Sequence, residues 1–328
     1  MRWTTRDIRQ RKGRDKIPVL TCYEYSMAKL LDQAGVPMFL VGDSVGNVVL
    51  GYETTVPVTV EQMIHHASAV MRARPQALVI VDMPFLSFQV SPEKALEAAG
   101  RMIKESGADA VKLEGGERNV EAIRRIVEAG IPVCGHLGLT PQSVLALGGY
   151  PLQGKGEEGD RLLEEAKMLE AAGCFCLVLE KVPEALAQRV TDAIGIPTIG
   201  IGAGAGCDGQ VLVLHDLLGL TPDFQPRFVK RYAEVGEIVI EAAARYCAEV
   251  RQGVFPGKEH GYKDTSATPP AEKPSDAKSP RAKSSPASKG ETSSAGRGAP
   301  GDSDSDAHYG PGRSGAAPKA TKKKSPGR

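Results

Sequence analysis

Eight short apolar runs, each followed by a stretch of helical pattern, dominate the chain between Lys16 and Val254. The runs are Ile17–Leu20, Met38–Val41, Ala77–Val81, Ala110–Leu113, Ile131–Cys134, Cys174–Leu179, Ile196–Ile201 and Gln210–Leu214. Each is apolar throughout rather than alternating, as expected of strands buried on both faces of a parallel sheet. The intervening segments carry helix start and stop signals. Thr59 and Gln62 form a capping box, Ser91-Pro92 opens a helix that Gly107 closes, and Asn119 opens one that stops at Gly130. Gly173 and Gly195 end the next two. Eight strands alternating with helices over about 240 residues predict a (β/α)8 TIM barrel, with a doubly wound open sheet as the alternative.

Composition sets the limits of that body. Across 328 residues Lys+Arg is 41 and Asp+Glu is 40, but the balance is uneven. Residues 265–328 hold 12 basic and 6 acidic side chains, and no Leu, Ile, Val or Phe. Such a segment buries too little apolar area to offset its ordering entropy, so 265–328 is expected to be a disordered basic tail and 1–264 the catalytic domain. The closing Lys322-Lys323-Lys324 offers a nucleic-acid or membrane contact, but solvated tail is the expectation. The basic N-terminus lacks an apolar core and a cleavage site, and is expected to form a surface helix. No stretch reaches the roughly 18 apolar residues of a membrane helix. Six scattered cysteines suit a reducing cytosol, hence a cytoplasmic protein, and no second Cys/His pair gives Cys174 and Cys176 a zinc spacing.

In a barrel the carboxyl-terminal strand ends form the active face. Four runs end there in a carboxylate, at Asp43 (FLVGD), Asp82 (VIVD), Glu114 (VKLE) and Glu180 (LVLE), and a fifth ends in His136. Taken singly, Asp43 reads as a helix cap and Asp82 as a turn residue. Four in register repel one another unless positive charge lies among them, and a hard divalent cation such as Mg2+ supplies it. Lys112 and Glu114, two apart on one strand, point to the same side. That makes Lys112 either a structural ion pair or an anion-binding group. His136 precedes the Gly-rich stretch Gly138–Gly156, which favours a substrate role over a core histidine, and the stretch itself reads as a lid. Gly200, Gly202, Gly204 and Gly206 have neither dinucleotide nor P-loop spacing, and predict only close backbone approach to a substrate. His65 and His66 fall within an amphipathic helix as surface or packing residues.

Several blocks resemble ketopantoate hydroxymethyltransferase. They are TCYEYS (Thr21–Ser26), VGDSVGNVVLGYETTVPVT (Val41–Thr59), VKLEGG (Val111–Gly116), CGHLGLTPQS (Cys134–Ser143) and IGIGAGAGCDGQVLVLHD (Ile199–Asp216). The likeness spans about Arg6 to His260. Departures are Cys22 and Glu24 in the first block and Lys155 where arginine is usual. The resemblance implies a barrel of the phosphoenolpyruvate/pyruvate superfamily, assembled as a homodecamer, with small-molecule substrates and no membrane or nucleic-acid partner. It implies transfer of a one-carbon unit from the co-substrate 5,10-methylenetetrahydrofolate to 3-methyl-2-oxobutanoate. One Mg2+ per subunit would be held by Asp43 and Asp82 with Glu114 beside them. Asp43, Ser44, Asp82, Lys112 and His136 would bind the keto acid, and Glu180 would take its proton. The competing readings are an isocitrate-lyase-like magnesium lyase and a non-catalytic barrel that binds nucleic acid through its tail. The cysteine nearest the pocket, Cys134, lacks the neighbouring lysines a lyase loop would carry, and a scaffold has no use for four converging acids.

Overall fold

A computed structural model describes residues 2–221 and 226–263. The expected tail, 265–328, lies outside them. The described chain divides into two compact units at Glu237/Ile238. In the first, the eight strands are β1 (Ile17–Thr21), β2 (Met38–Val41), β3 (Leu78–Asp82), β4 (Ala110–Glu114), β5 (Val133–Gly138), β6 (Cys176–Glu180), β7 (Thr198–Ile201) and β8 (Gly209–Leu212). They are all parallel and close in sequence order, β8 returning to β1 through Ile17↔Gly209 and Val19↔Val211. The open-sheet alternative is thereby excluded. Each predicted run holds a strand, with ends displaced by up to four residues. The largest displacement is in β5, which runs on through His136 to Gly138, so that His136 lies within the strand rather than at its end.

The helices are α1 (Thr5–Arg9), α2 (Tyr25–Gln33), α3 (Val45–Val48), α4 (Val60–Arg72), α5 (Pro92–Ser106), α6 (Val120–Glu128), α7 (Val144–Leu147), α8 (Glu158–Ala171), α9 (Glu184–Ala193) and α10 (Leu214–Leu217), with α11 (Val235–Arg251) leading into the second unit. The expected caps form. Thr59 and Gln62 bond reciprocally at the start of α4, and Ser91 accepts from Lys94 N with Pro92 in the first turn of α5. Gly107 ends α5 in the left-handed region, at φ 78, where a side chain would be strained. Asn119 does not cap α6. Its amide donates instead to the Glu114 carbonyl, at 2.8 Å, and ties the loop after β4 to its strand.

Alternation along the strands separates two cores. Odd-facing residues such as Val79, Val111, Leu113, Val133, Leu177 and Leu179 pack against the helices. Ile17, Val19, Met38, Leu78, Ile80, Ala110, Cys134, Cys176, Val178, Ile199 and Val211 fill the barrel. At the amino-terminal end α1, capped by Thr4 and Asp7, inserts a fully buried Ile8 into this interior beside Trp3. The basic N-terminus is therefore a surface helix with one buried face. Burial of an isoleucine contributes about 1.5–3 kcal/mol, so this plug stabilises the closed end. That leaves the carboxyl-terminal mouth for chemistry.

Candidate active site at the carboxyl-terminal mouth of the barrel

Parallel pairing sets the mouth residues side by side. Asp82 pairs with Lys112, Glu114 with His136, and Gly138 with Glu180. Because Val111 and Leu113 face the helices, Lys112 and Glu114 both point inward, as the two-residue spacing predicts. Asp43, Asp82, Lys112, Glu114 and His136 are each at most 4% exposed, and the Glu180 side chain is 18% exposed. Two glycines permit this crowding. A Cβ on Gly42 would lie 2.8 Å from Ser44 Oγ, and one on Gly138, at φ 92, would lie 2.2 Å from the Glu180 carbonyl oxygen.

The contacts form one network. Asp43 N donates to Asp82 Oδ2 at 3.0 Å. Lys112 Nζ lies 3.1 Å from Asp82 Oδ1, 4.0 Å from Glu114 Oε1 and 3.1 Å from His136 Nδ1. His136 Nδ1 is 3.5 Å from Glu114 Oε1, and Nε2 is 3.2 Å from Glu180 Oε2. Asp43 and Asp82 are therefore neither the cap nor the turn residue that each resembles singly. The Ser44 hydroxyl lies 2.8 Å from the buried Tyr23 phenol.

Negative charge exceeds positive here. Burial, then Glu114 and Asp82, push the Asp43 carboxyl up to about 8. Burial also raises Asp82, against the pull of Lys112. Glu114 is held below its usual range despite burial, by His136, Lys112 and the Gln142 backbone N–H. Burial opposes the Lys112 ammonium, yet Asp82, Glu114 and Asp43 together hold its pKa above the ordinary lysine value. For His136, burial and Lys112 work against the charged ring, and Glu114 and Glu180 prevail, raising it to about 9. The short Lys112 contact argues the other way. An ammonium has no lone pair, so at 3.1 Å Nδ1 must accept, which makes the ring neutral with its proton on Nε2 toward Glu180. The geometry decides for the neutral ring, since two charged donors at that distance repel.

Asp82 Oδ1 meets only the Lys112 ammonium and His136 Nε2 only Glu180 Oε2, while Glu114 Oε1 is buried without a hydrogen bond. Buried polar atoms are normally satisfied, so Glu114 Oε1 marks where a ligand belongs. Among the described residues no three His, Cys, Asp or Glu side chains close around a single point as a ready cation cage. Lys112 lies between Asp82 and Glu114. The acids thus offer an open oxygen half-site, of the kind that suits a cation retaining waters and substrate oxygens.

Sequence reasoning missed Gln142, which is 4% exposed in the loop after β5. Its Nε2 donates to Asp43 Oδ2 and to the Met83 carbonyl, both at 2.9 Å, and its backbone N–H donates to Glu114 Oε2 at 3.0 Å. The start of the Gly138–Gly156 stretch is therefore pinned by a 3-10 turn at Pro141–Ser143 and by α7, rather than free as a lid. The strand-seven glycines also differ from expectation. Cβ atoms on Gly202, Gly204 and Gly206 would meet Phe228, Glu184 and Gln188 within 3.2 Å, so that space is filled by the chain itself, not by a substrate. His66 bonds to the Tyr23 carbonyl at 2.8 Å, a packing role as expected.

Comparison with known proteins agrees with this geometry. The family model described as ketopantoate hydroxymethyltransferase matches residues 2–258. The 3-methyl-2-oxobutanoate hydroxymethyltransferase of Moorella thermoacetica is 58% identical over 250 residues, 76% of this chain and 93% of the relative. That of Syntrophus aciditrophicus is 54% identical, covering 79% and 96%. Among solved structures, 2,3-dimethylmalate lyase of the PEP mutase/isocitrate lyase superfamily aligns with TM-score 0.50 at 15% identity, over 82% of this chain and 93% of that one. A phosphonopyruvate hydrolase complex with oxalate and Mg2+ aligns with TM-score 0.52 at 10% identity, over 79% and 93%. These structures are alike in fold with this barrel.

Proposed function

Because this chain belongs to the ketopantoate hydroxymethyltransferase family, we propose that its strand-end cluster is where 3-methyl-2-oxobutanoate loses a proton and gains a hydroxymethyl group. The chain is an enzyme acting on small molecules, and its reaction is hydroxymethyl transfer to that keto acid, giving 2-dehydropantoate for pantothenate synthesis. Among the described residues no helix is long and apolar enough to cross a membrane.

One observation carries the reading. Four carboxylates, Asp43, Asp82, Glu114 and Glu180, meet at adjoining strand ends around Lys112 and His136, with the buried Glu114 Oε1 left without a hydrogen bond. With Lys112 charged and His136 neutral, ionised acids leave the cluster three charges negative. An all-oxygen donor set with excess negative charge fits Mg2+, held by Asp43 and Asp82 with Glu114 beside them. When bound, the ion supplies Lewis-acid stabilisation of the charge that develops on the keto oxygen.

The remaining chemistry belongs to the chain. Glu180, the most exposed of the four acids, takes the C3 proton. His136 Nε2 faces Glu180 Oε2 at 3.2 Å and holds it toward the substrate. Lys112 offsets the substrate carboxylate as a point charge. The Tyr23 phenol shares a 2.8 Å hydrogen bond with Ser44 Oγ, and where the phenol is the donor the serine proton is free for the substrate. The C3 carbanion equivalent then forms a carbon–carbon bond to the methylene of 5,10-methylenetetrahydrofolate as one of its two carbon–nitrogen bonds breaks and that nitrogen takes a proton. Water then cleaves the second carbon–nitrogen bond, its hydroxyl going to the methylene and its proton to the nitrogen, which yields the hydroxymethyl product and tetrahydrofolate. We infer a cytoplasmic homodecamer from the family likeness, which sedimentation velocity checks.

Purified protein supplied with keto acid, Mg2+ and the folate donor is expected to form 2-dehydropantoate, with no cleavage of 2-methylisocitrate. Cleavage without hydroxymethyl transfer would move the site to the lyases.

A further inference from the structure

The geometry points to Gln142 as the positioning residue of the cation half-site. It holds Asp43 and Glu114 by their outer oxygens so that their inner oxygens face one ligand. This deepens the reading of Asp43, Asp82 and Glu114 as cation-holding acids and rests on it.

The loop after β5 delivers Gln142 by local means. Pro141 opens the 3-10 turn, Ser143 N bonds to the Thr140 carbonyl at 2.8 Å, and Thr140 Oγ1 donates to Ser143 Oγ at 2.9 Å. Within that turn Gln142 spans two acids from different strands. Its side-chain amide takes Asp43 Oδ2, and its backbone N–H takes Glu114 Oε2. The third acid is held in the same way from outside, Asp82 Oδ2 accepting from Asp43 N. Outer oxygens are thus occupied, while of the inner atoms Glu114 Oε1 has no hydrogen bond and Asp82 Oδ1 faces only the Lys112 ammonium, at 3.1 Å.

The amide has one orientation. Both protons on Nε2 are used, by Asp43 Oδ2 and the Met83 carbonyl, and Oε1 accepts from Gln89 Nε2 at 3.2 Å. A flip would turn all three contacts unfavourable. Gln142 therefore fixes the Asp43 carboxylate, while its backbone contact to Glu114 is independent of side-chain identity. Loss of an outer-shell partner of this kind typically weakens metal binding about 10–100-fold.

The test uses the full-length metal-free protein and Mn2+ alone. Free ion is counted by electron paramagnetic resonance, and water-proton relaxation reports the waters on bound Mn2+. Gln142→Leu is expected to weaken Mn2+ binding about 10–100-fold and to raise relaxation per bound ion, because water replaces the loosened Asp43 oxygen. Gln142→Met, unbranched and of similar length, repeats the measurement where leucine is not accommodated, and thermal melts confirm the fold. Asp82→Ala runs alongside. If wild type and Asp82→Ala bind Mn2+ alike, the cation reading fails and the inference with it. If Asp82→Ala loses binding while both Gln142 variants match wild type in affinity and relaxation, the inference alone is overturned.

Discussion

Replacing Asp43 by asparagine should make the metal-free protein more stable, not less, by a margin that grows from about pH 4 to pH 8. Burial, Glu114 and Asp82 hold the Asp43 carboxyl at about 8. In the unfolded chain it titrates near ~4. A folded-state value above the unfolded one contributes stability that is present below about pH 4 and lost as the pH rises through 8. At about 1.4 kcal/mol per unit the full penalty above pH 8 is roughly 5 kcal/mol. Protonation shared with Glu114 and Asp82 absorbs part of it, so we expect the substitution to recover about 2–4 kcal/mol. Asparagine keeps an oxygen to accept the Gln142 amide, so no bond is left broken on that side. For a unit of this size the gain corresponds to about 4–16 °C in melting temperature. Calorimetry in EDTA at pH 9 and pH 5 measures it, with the variant's advantage at pH 9 expected to fall to about 1 kcal/mol at pH 5. Mg2+ should then raise the wild-type melting temperature and leave the variant unmoved. A variant less stable than wild type at pH 9, or equal stabilisation of both by Mg2+, refutes the charge-excess argument.

Three further outcomes follow from other contacts. Asp82→Ala should keep the fold but lose metal-dependent activity, checked by melting curves and by product formation at raised Mg2+; full activity refutes the ligand assignment. Tyr23→Phe removes the 2.8 Å bond to Ser44, so the keto-acid KM should rise severalfold, about 1 kcal/mol, with kcat less affected. At the closed end Asp208 takes Lys12 Nζ, Gly13 N and Thr198 N, each at 2.9 Å. These bonds outweigh burial and keep its carboxyl below the usual range, so its stabilisation is present above about pH 4 and lost as the pH falls through the lowered value. Asp208→Ala should cost about 1–3 kcal/mol at pH 7 and little at pH 2, read by urea melts; a pH-independent cost would refute it.

The barrel was legible because its signals are local. Continuous Val/Ile/Leu runs, a capping box at Thr59–Gln62 and a terminating Gly107 each lie within a few residues of what they determine. The strand-end acids were legible for the same reason, since a carboxylate closing an apolar run has one place to go in a barrel. Gln142 was not, because its partners Asp43 and Glu114 lie 99 and 28 residues away and nothing near it in sequence marks a buried amide. The Tyr23–Ser44 pair, 21 residues apart across two strands, was hidden likewise. The strand-seven glycines misled because a missing Cβ signals close approach without naming the neighbour, here Phe228, Glu184 and Gln188. Asn119 misled through its cap propensity, which lost to the Glu114 carbonyl.

Deuterium exchange at C3 of 3-methyl-2-oxobutanoate, followed by NMR in heavy water, tests the central claim most directly. With Mg2+ the wild-type protein is expected to exchange that hydrogen, and EDTA to stop it. Glu180→Gln, which still presents an oxygen to His136, is expected to bind keto acid without exchange. Exchange that persists in Glu180→Gln, or none in folded wild type with Mg2+, would contradict the assignment of this cluster as the proton-removing site.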